Sequence, residues 1–127
     1  MKTRLLAPIL GVWIGIVAIV GLLAGDDHLF NTMNTDLALD VVRLPIAGAL
    51  LYAGFWAQDN TTVNNIVLGV GVVYVGLGVL GLISPTMFGL LPHGLTAFDT
   101  AFHIVAGVVA TIAGLMHREH GATTASI

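Results

Sequence analysis

The chain has 127 residues, of which 57% are hydrophobic and 9% are charged, and its net charge is −3. A soluble globular domain carries about 25% charged residues, so too few charges are present here to cover a water-facing surface. The length allows one domain, and the composition indicates an integral membrane protein. No basic cluster accompanies the negative net charge, so nucleic acid is not an expected partner. The absence of cysteine excludes disulfides, thiolate metal sites and thiol nucleophiles.

Four apolar segments follow one another along the chain, each about 20 residues long, which is the length that crosses a bilayer core as a helix. Pro8 lies in the first turn of the first segment, where its missing N–H does no harm. Asp40 and Arg43 interrupt the second segment, the third stops at "SPTMF", and the fourth stops at "HREH". We therefore expect an all-α bundle of four transmembrane helices. The predicted spans are about 5–24, 37–57, 63–83 and 97–116.

The first segment also fits a signal peptide, because Lys2 and Arg4 precede its apolar run. That run is longer than the roughly 7–15 residues that are typical of a signal peptide. The sequence "GDDH" that follows it is also a poor cleavage context. We therefore interpret the segment as a retained span.

The few charged residues of the loops predict an orientation. Lys2 and Arg4 precede the first span and Arg118 follows the fourth, whereas the first loop carries Asp26 and Asp27 and no basic residue. By the positive-inside rule both termini face the cytoplasm, which requires an even number of spans, and four spans satisfy this. The loop between spans two and three would then be cytoplasmic as well, although it has no positive charge. We expect a multi-pass plasma-membrane protein. The scarcity of lysine is what a halophilic source produces, although a small loop area also samples few residues.

A sequence pattern recurs in the second and fourth segments at a constant offset of 59 residues. "ALDVVRLPIAGALL", which starts at Ala38, aligns with "AFDTAFHIVAGVVA", which starts at Ala97. The alignment pairs Asp40 with Asp99 and Gly48 with Gly107. Two spans per unit keep the copies parallel, so both aspartates enter the membrane from the same side. The pattern predicts two related helical hairpins.

The chain resembles, over roughly residues 5–116, the small four-span prokaryotic membrane proteins catalogued as domain of unknown function 4383. The shared features are the length, the four spans, a long first loop and a final helix that reads polar-x-x-x-His-x-x-x-Gly, here Asp99, His103 and Gly107. Members often carry a histidine in the second helix as well, where this chain has Leu44. The resemblance implies the four-span fold and supplies no activity.

Four ionisable residues are predicted to lie at one depth in the second and fourth spans. Asp40 and Arg43 share one helical face, as do Asp99 and His103. Arg43 and His103 each lie about six residues into their spans, roughly 9 Å from the boundary. An unpaired charge in a span costs on the order of 2.5–3.5 kcal/mol. We therefore expect a polar cluster of these four residues, in which Arg43 pairs with Asp40 and Asp99.

The polar cluster has three interpretations that the sequence leaves open. It can lock the register of two helices, with a neutral His103 that is hydrogen-bonded to Asp99 or to a backbone carbonyl. It can instead form a path for protons or ions, or a pocket for a small ligand. In the third interpretation the charges reach the interface separately and form no cluster.

No metal, haem or catalytic site is predicted. His28, His93, Asp99 and His103 could converge at the outer end with Asp26 and Asp27, but no histidine pair has the spacing of a metal-ligand motif. His28 and His93 are expected to be solvated loop residues, and His117 and His120 a solvated helix end. Haem between helices takes two axial histidines at membrane depth, and only His103 is available. Ser84 precedes a loop proline rather than lying in a nucleophile context, so we do not expect an enzyme.

Glycines recur at helical spacing in the first and third spans. Gly69 and Gly76, like Gly71 and Gly78, are seven residues apart and predict two adjacent grooves on the third span. We expect these grooves to pack against the first span, although a neighbouring subunit, a lipid tail or a rod-shaped apolar pigment could also fill them. The predicted helix-packing glycines are Gly11, Gly15, Gly48, Gly71, Gly78 and Gly107.

The expected function is that of a small non-enzymatic accessory or structural subunit, which packs with other membrane proteins or with itself in the lipid bilayer. Short loops, the missing catalytic set and the glycine-lined faces favour this hypothesis. The alternative is a proton- or ion-coupled conduit, or a small-ligand site, that uses the polar cluster. No cofactor is predicted, although a lipid or an apolar pigment would fit the glycine grooves.

Overall fold

A computed structural model describes the backbone of residues 3–25, 28–29 and 33–126, and the side chains of residues 3–25 and 33–116. Its four helices are α1 (Thr3–Ala24), α2 (Leu37–Phe55), α3 (Asn60–Ile83) and α4 (Ala97–Ser126). Two short strands, β1 (His28–Leu29) and β2 (Met33–Asn34), pair antiparallel in the first loop. Each helix contains a stretch that is long and apolar enough to cross a membrane. The predicted all-α four-helix fold of a small membrane protein is therefore confirmed.

The helix ends differ from the predicted spans for local reasons. α1 begins at Thr3, so Pro8 lies inside the helix rather than in its first turn. α3 begins three residues earlier than predicted because the Asp59 side chain accepts a hydrogen bond from the Thr61 backbone N–H (3.0 Å) and so caps the helix. The apolar stretch Ala97–Met116 coincides with the predicted fourth span, and α4 continues beyond it to Ser126, because charged residues end a membrane span without ending a helix.

The helices pack as two hairpins, α1 with α2 and α3 with α4. The prediction that the glycines pack span one against span three is wrong. A Cβ placed on Gly11 would lie 3.1 Å from the Cβ of Leu50 in α2, and one placed on Gly71 would lie 2.5 Å from the Thr111 nitrogen in α4. Consecutive helices are usually neighbours in space, and here the glycines serve such neighbours within each hairpin. The short 56–59 connection instead joins α2 to α3, which each pack mainly on another helix.

Five of the six predicted packing glycines lie against another helix. Gly15 faces Ala47, Gly78 faces Ile104, and a Cβ on Gly107 would lie 2.6 Å from the Val75 nitrogen. The prediction for Gly48 is wrong, because no atom of a neighbouring element lies within 4 Å of where its Cβ would be. Gly48 is on the outward side of α2, so the aligned pair Gly48 and Gly107 occupies different environments.

The interior is polar at one end of the bundle and apolar in its middle. We call the end where the loops 25–36 and 84–96 meet the loop end, and the opposite end, which holds Thr3 and the 56–59 connection, the terminal end. Leu50 and Val67 are fully buried in the middle. At the terminal end Thr3 donates a hydrogen bond to Asn64. Large apolar side chains cover the outside of all four helices, as lipid contact requires.

Candidate functional site

The candidate site lies at the loop end, where buried polar side chains from both hairpins come together. The structure places all four residues of the predicted polar cluster there, each less than 7% exposed. The residues are Asp40, Arg43, Asp99 and His103. Loop residues that the sequence did not single out, above all Asn34, complete the site.

Arg43 is the centre of the polar cluster. Its Nη1 donates to Asp40 Oδ1 (3.0 Å), one helical turn earlier on α2, and to the backbone carbonyl of Asn34 (2.6 Å). Its Nη2 lies 3.8 Å from Asp99 Oδ1 on α4. The expected approach of Arg43 to both carboxylates is therefore present, with the Asp40 contact closer than the Asp99 contact. On the far side of Asp40, Gly21 leaves room for the carboxylate, because a Cβ there would lie 2.7 Å from both of its oxygens.

Asp99 also starts α4. The Thr96 hydroxyl accepts a hydrogen bond from the Asp99 N–H (3.1 Å), and Asp99 Oδ2 accepts one from the Thr96 N–H (3.0 Å). This reciprocal pattern is a capping box with aspartate in the place of the usual Glu or Gln. The same oxygen accepts from the backbone N–H of Asn34 (2.8 Å), which ties the start of α4 to the first loop.

Asn34 joins the two loops of the site and is fully buried. Its side-chain amide donates to Asp36 Oδ2 (3.0 Å) and to the Gly94 carbonyl (2.6 Å), and its Oδ1 accepts from the Asp36 N–H (2.8 Å). The last bond makes an Asx turn, in which an asparagine side chain bonds the backbone two residues on. The pattern Asn-x-Asp directly before an apolar helical run was the sequence signal for this turn, but nothing in it indicated the contact with Gly94.

Asp36 and His93 form a second polar contact between the loops, outside the membrane-spanning segments. Asp36 Oδ2 accepts from the His93 N–H (2.9 Å), and Asp36 Oδ1 lies 2.6 Å from His93 Nδ1. Burial raises the pKa of Asp36, but the hydrogen bonds from Asn34 and His93 and the charge of His93 together bring the pKa below its usual value of 3.8. The expectation that His93 is simply a solvated loop residue is incomplete, because its side chain is 42% exposed yet held by Asp36.

His103 lies one helical turn after Asp99 on α4 and is 2% exposed. Its ring is tilted against that of Tyr74, with 5.1 Å between centroids. Nδ1 of His103 has no hydrogen-bond partner, so no bond joins this nitrogen to Asp99 or to a backbone carbonyl. A cavity of about 20 Å³ lies beside the ring and is bordered by Arg43, Asp99 and Tyr74 as well.

The side chains described for residues 3–25 and 33–116 include no group of three or more His, Cys, Asp or Glu that could hold a metal ion. Three of the six residues that the sequence considered for such a site, Asp26, Asp27 and His28, lie outside those ranges. The side chains of Lys2, Arg118, His117 and His120 do so as well.

The polar groups do not continue through the bundle within the part of the chain that the structure describes. Beyond His103 and Tyr74 the interior is formed by apolar side chains such as Val67, Leu50 and Ala110. Between the two ends the Thr111 hydroxyl is buried beside Gly71 without a hydrogen-bond partner, and at the terminal end Thr3 contacts Asn64. The arrangement can therefore hold two loops and two hairpins in register.

Comparisons with protein-family models, with curated proteins and with solved structures find no match to this chain. The resemblance to the domain of unknown function 4383 stays a prediction. The interpretation of the site rests on its geometry.

Proposed function

We propose that this chain is a small non-enzymatic subunit of the plasma membrane that associates with other membrane proteins or with copies of itself. The observation that carries the proposal is an apolar groove of about 360 Å³ between α2 and α3. Most of the buried polar groups described at the loop end are hydrogen-bonded to other groups of the same chain. The surface left for function is therefore the outer one. That surface is apolar and suits contact with other helices in the bilayer.

The groove exists because α2 and α3 each pack mainly on another helix. Ala49 and Pro45 line it from α2, and Gly69 and Val73 line it from α3. Gly69 has no neighbouring atom within 4 Å of where a Cβ would be. Small residues let a helix backbone approach closely, which is how helices associate where lipid removes the hydrophobic driving force. A transmembrane helix of a neighbouring subunit therefore fits this groove.

The proposed orientation places both termini in the cytoplasm. Arg4 lies at the terminal end, where its Nη1 donates to the Ala57 carbonyl (2.6 Å) and its guanidinium also contacts Asn60. Asp36, Asp40 and Asp99 lie at the loop end and Asp59 at the terminal end, and basic residues favour the cytoplasmic side. Labelling of single cysteines introduced at Gln58 and Phe88 of the chain in intact cells tests the orientation, and access to Gln58 from outside would contradict it.

Association is tested by purification in a mild detergent from native membranes, followed by measurement of the particle mass. We expect a particle larger than one chain for the wild type, and loss of that larger particle for Gly69→Leu, because leucine fills the groove. Gly48→Leu is the matched control, since Gly48 is equally open but does not line the groove. A strictly monomeric wild type without companions, or a particle that Gly69→Leu leaves intact, would contradict the proposal.

A second candidate function, a proton- or ion-coupled conduit, has the cavity beside His103 in its favour. The interior between His103 and Asn64 argues against it, because it is mostly apolar and the Thr111 hydroxyl buried there has no hydrogen-bond partner. Flux into liposomes decides between the two functions: a conduit loses flux in Asp99→Asn and His103→Ala, whereas flux that neither variant alters excludes it. A visible absorption spectrum of the purified protein tests whether the groove instead holds an apolar pigment.

A further inference from the structure

His103 presents a buried nitrogen that the surrounding chain does not satisfy. The residue is 2% exposed, and its Nδ1 has no hydrogen-bond partner. Its ring is enclosed by Tyr74 and Phe102, whose centroids lie 5.1 and 6.3 Å away. Buried polar groups are nearly always hydrogen-bonded, to protein or to ordered water, so this nitrogen requires an explanation.

The cavity beside His103 has the size and the lining of a water site. Its volume of about 20 Å³ exceeds the roughly 10–15 Å³ that one water molecule needs. Arg43, Asp99 and Tyr74 border it together with His103, so it offers several polar groups, whereas a dry cavity is lined only by apolar ones. Met33, from the connection before α2, also borders the cavity and places it next to the polar loop end.

The distance between Arg43 and Asp99 is an independent sign of a bridging molecule. Nη2 and Oδ1 are 3.8 Å apart, although a direct charge-assisted hydrogen bond measures about 2.7–2.9 Å. Polar groups that face each other across more than about 3.5 Å are often joined by water. In the same site Arg43 makes two shorter bonds, so the guanidinium is well placed and the longer distance is specific to Asp99.

We propose that this cavity binds one water molecule, which hydrogen-bonds to His103 and bridges it to the facing groups Arg43 and Asp99. A neutral molecule that both donates and accepts hydrogen bonds suits the site, because a guanidinium and a carboxylate border it together. The water satisfies Nδ1 of His103 and connects α4 to α2 of the other hairpin. The polar cluster is in this way complete only with the water, and the site is independent of the proposed association of the chain.

Water-edited solid-state NMR on the full chain in liposomes tests this site. With histidine labelled in nitrogen-15, the ring signals of His103 are those that disappear in His103→Phe. We expect magnetisation to pass from water to these ring nitrogens several-fold faster than to the backbone nitrogen of the same residue. Equally slow transfer to ring and backbone in the wild type would overturn the proposal.

A cavity-filling variant distinguishes bound water from general hydration of the helix. Val17 borders the cavity and is buried, so Val17→Leu places one more methylene in the space of the water. We expect the fast transfer to His103 to be lost in this variant and kept in Val12→Leu, which adds the same group on the outward side of α1. Fast transfer that survives Val17→Leu would overturn the proposal, and if that variant does not fold, the wild-type comparison decides alone.

Discussion

Three carboxylates are buried at the loop end, those of Asp36, Asp40 and Asp99, and the guanidinium of Arg43 lies among them. Arg43 contacts Asp40 and faces Asp99, whereas Asp36 relies on hydrogen bonds from Asn34 and His93. A buried charge is tolerated when partners and hydrogen bonds surround it, and removal of one partner leaves the others uncompensated. The individual residues of the loop end therefore have unequal importance for stability.

Replacement of Arg43 by methionine tests how much the guanidinium contributes to the unfolding free energy. Arg43→Met keeps much of the side-chain volume but leaves Asp40 and Asp99 without a cation, so we expect a loss of about 3 kcal/mol or more of unfolding free energy. Arg43→Lys keeps the charge and should lose less. Unfolding in mixed micelles measures both variants, and an Arg43→Met protein as stable as the wild type would contradict the description of the polar cluster.

The contact between Asp36 and His93 predicts a dependence on acid pH. Because the folded pKa of Asp36 lies below its ordinary value of 3.8, the ionised carboxylate contributes stability above pH 3.8 that is lost as the pH falls further, through the folded pKa. We expect Asp36→Asn to lower stability at neutral pH and to flatten the acid limb of a plot of melting temperature against pH. An acid limb with the same slope in Asp36→Asn and wild type would show that Asp36 is not responsible.

Local side-chain caps determine where helices start, and packing against the other helix of the hairpin determines the contacts along their lengths. Thr96 and Asp99 start α4 by a capping box, and Asp59 starts α3 by a side-chain cap. Along the helices, Gly71 and Gly107 bring α3 and α4 close enough for backbone contact. The sequence repeat aligns Gly107 with Gly48, but only Gly107 lies between two helices.

Substitution of these two aligned glycines by alanine separates helix packing from helix propensity. In Gly107→Ala the new Cβ meets the Val75 backbone nitrogen at 2.6 Å, so the hairpin must open, at a cost of about 1–3 kcal/mol. In Gly48→Ala the Cβ meets nothing, and the change should stabilise α2 by up to about 1 kcal/mol. Thermal unfolding measures both, and equal effects of the two substitutions would contradict the packing described here.

Removal of the capping hydroxyl tests the start of α4. Thr96→Ala deletes the group that accepts from the Asp99 N–H, and we expect it to lower the unfolding free energy by about 1 kcal/mol. Thr96→Ser keeps the hydroxyl and serves as the control. If alanine and serine gave the same stability, the capping box would make no contribution.

At the scale of the whole molecule, hydropathy was sufficient to predict four spans. The cost of an unpaired charge in the membrane was sufficient to predict that Arg43 lies close to Asp40 and Asp99. Neither argument could predict which helices pair, because glycines such as Gly11 and Gly71 give the same sequence pattern whichever neighbouring helix they face. The role of Asn34 could not be predicted from the sequence either, since it depends on how the two loops fold over each other. His103 was expected in the polar cluster, but the cavity beside it is a property of packing that spacing does not encode.

The two hairpins meet through a polar joint at the loop end and through Thr3, Arg4, Asn60 and Asn64 at the terminal end. Apolar packing fills the space between these joints, where Ile14, Leu50 and Val67 are buried. The polar groups thus lie where loops connect the helices and water is near, and the middle of the bundle stays apolar as the bilayer requires. This distribution favours a structural role for the polar cluster over transport through it.

The central claim is that Arg43 of the first hairpin and Asp99 of the second act on each other across the bundle. A double-mutant cycle with Arg43→Met and Asp99→Asn measures this interaction most directly, through unfolding free energies of the wild type, the two single variants and the double variant. We predict a double variant less destabilised than the sum of the single variants, by about 1 kcal/mol or more. Effects that add to within about 0.5 kcal/mol would contradict the claim.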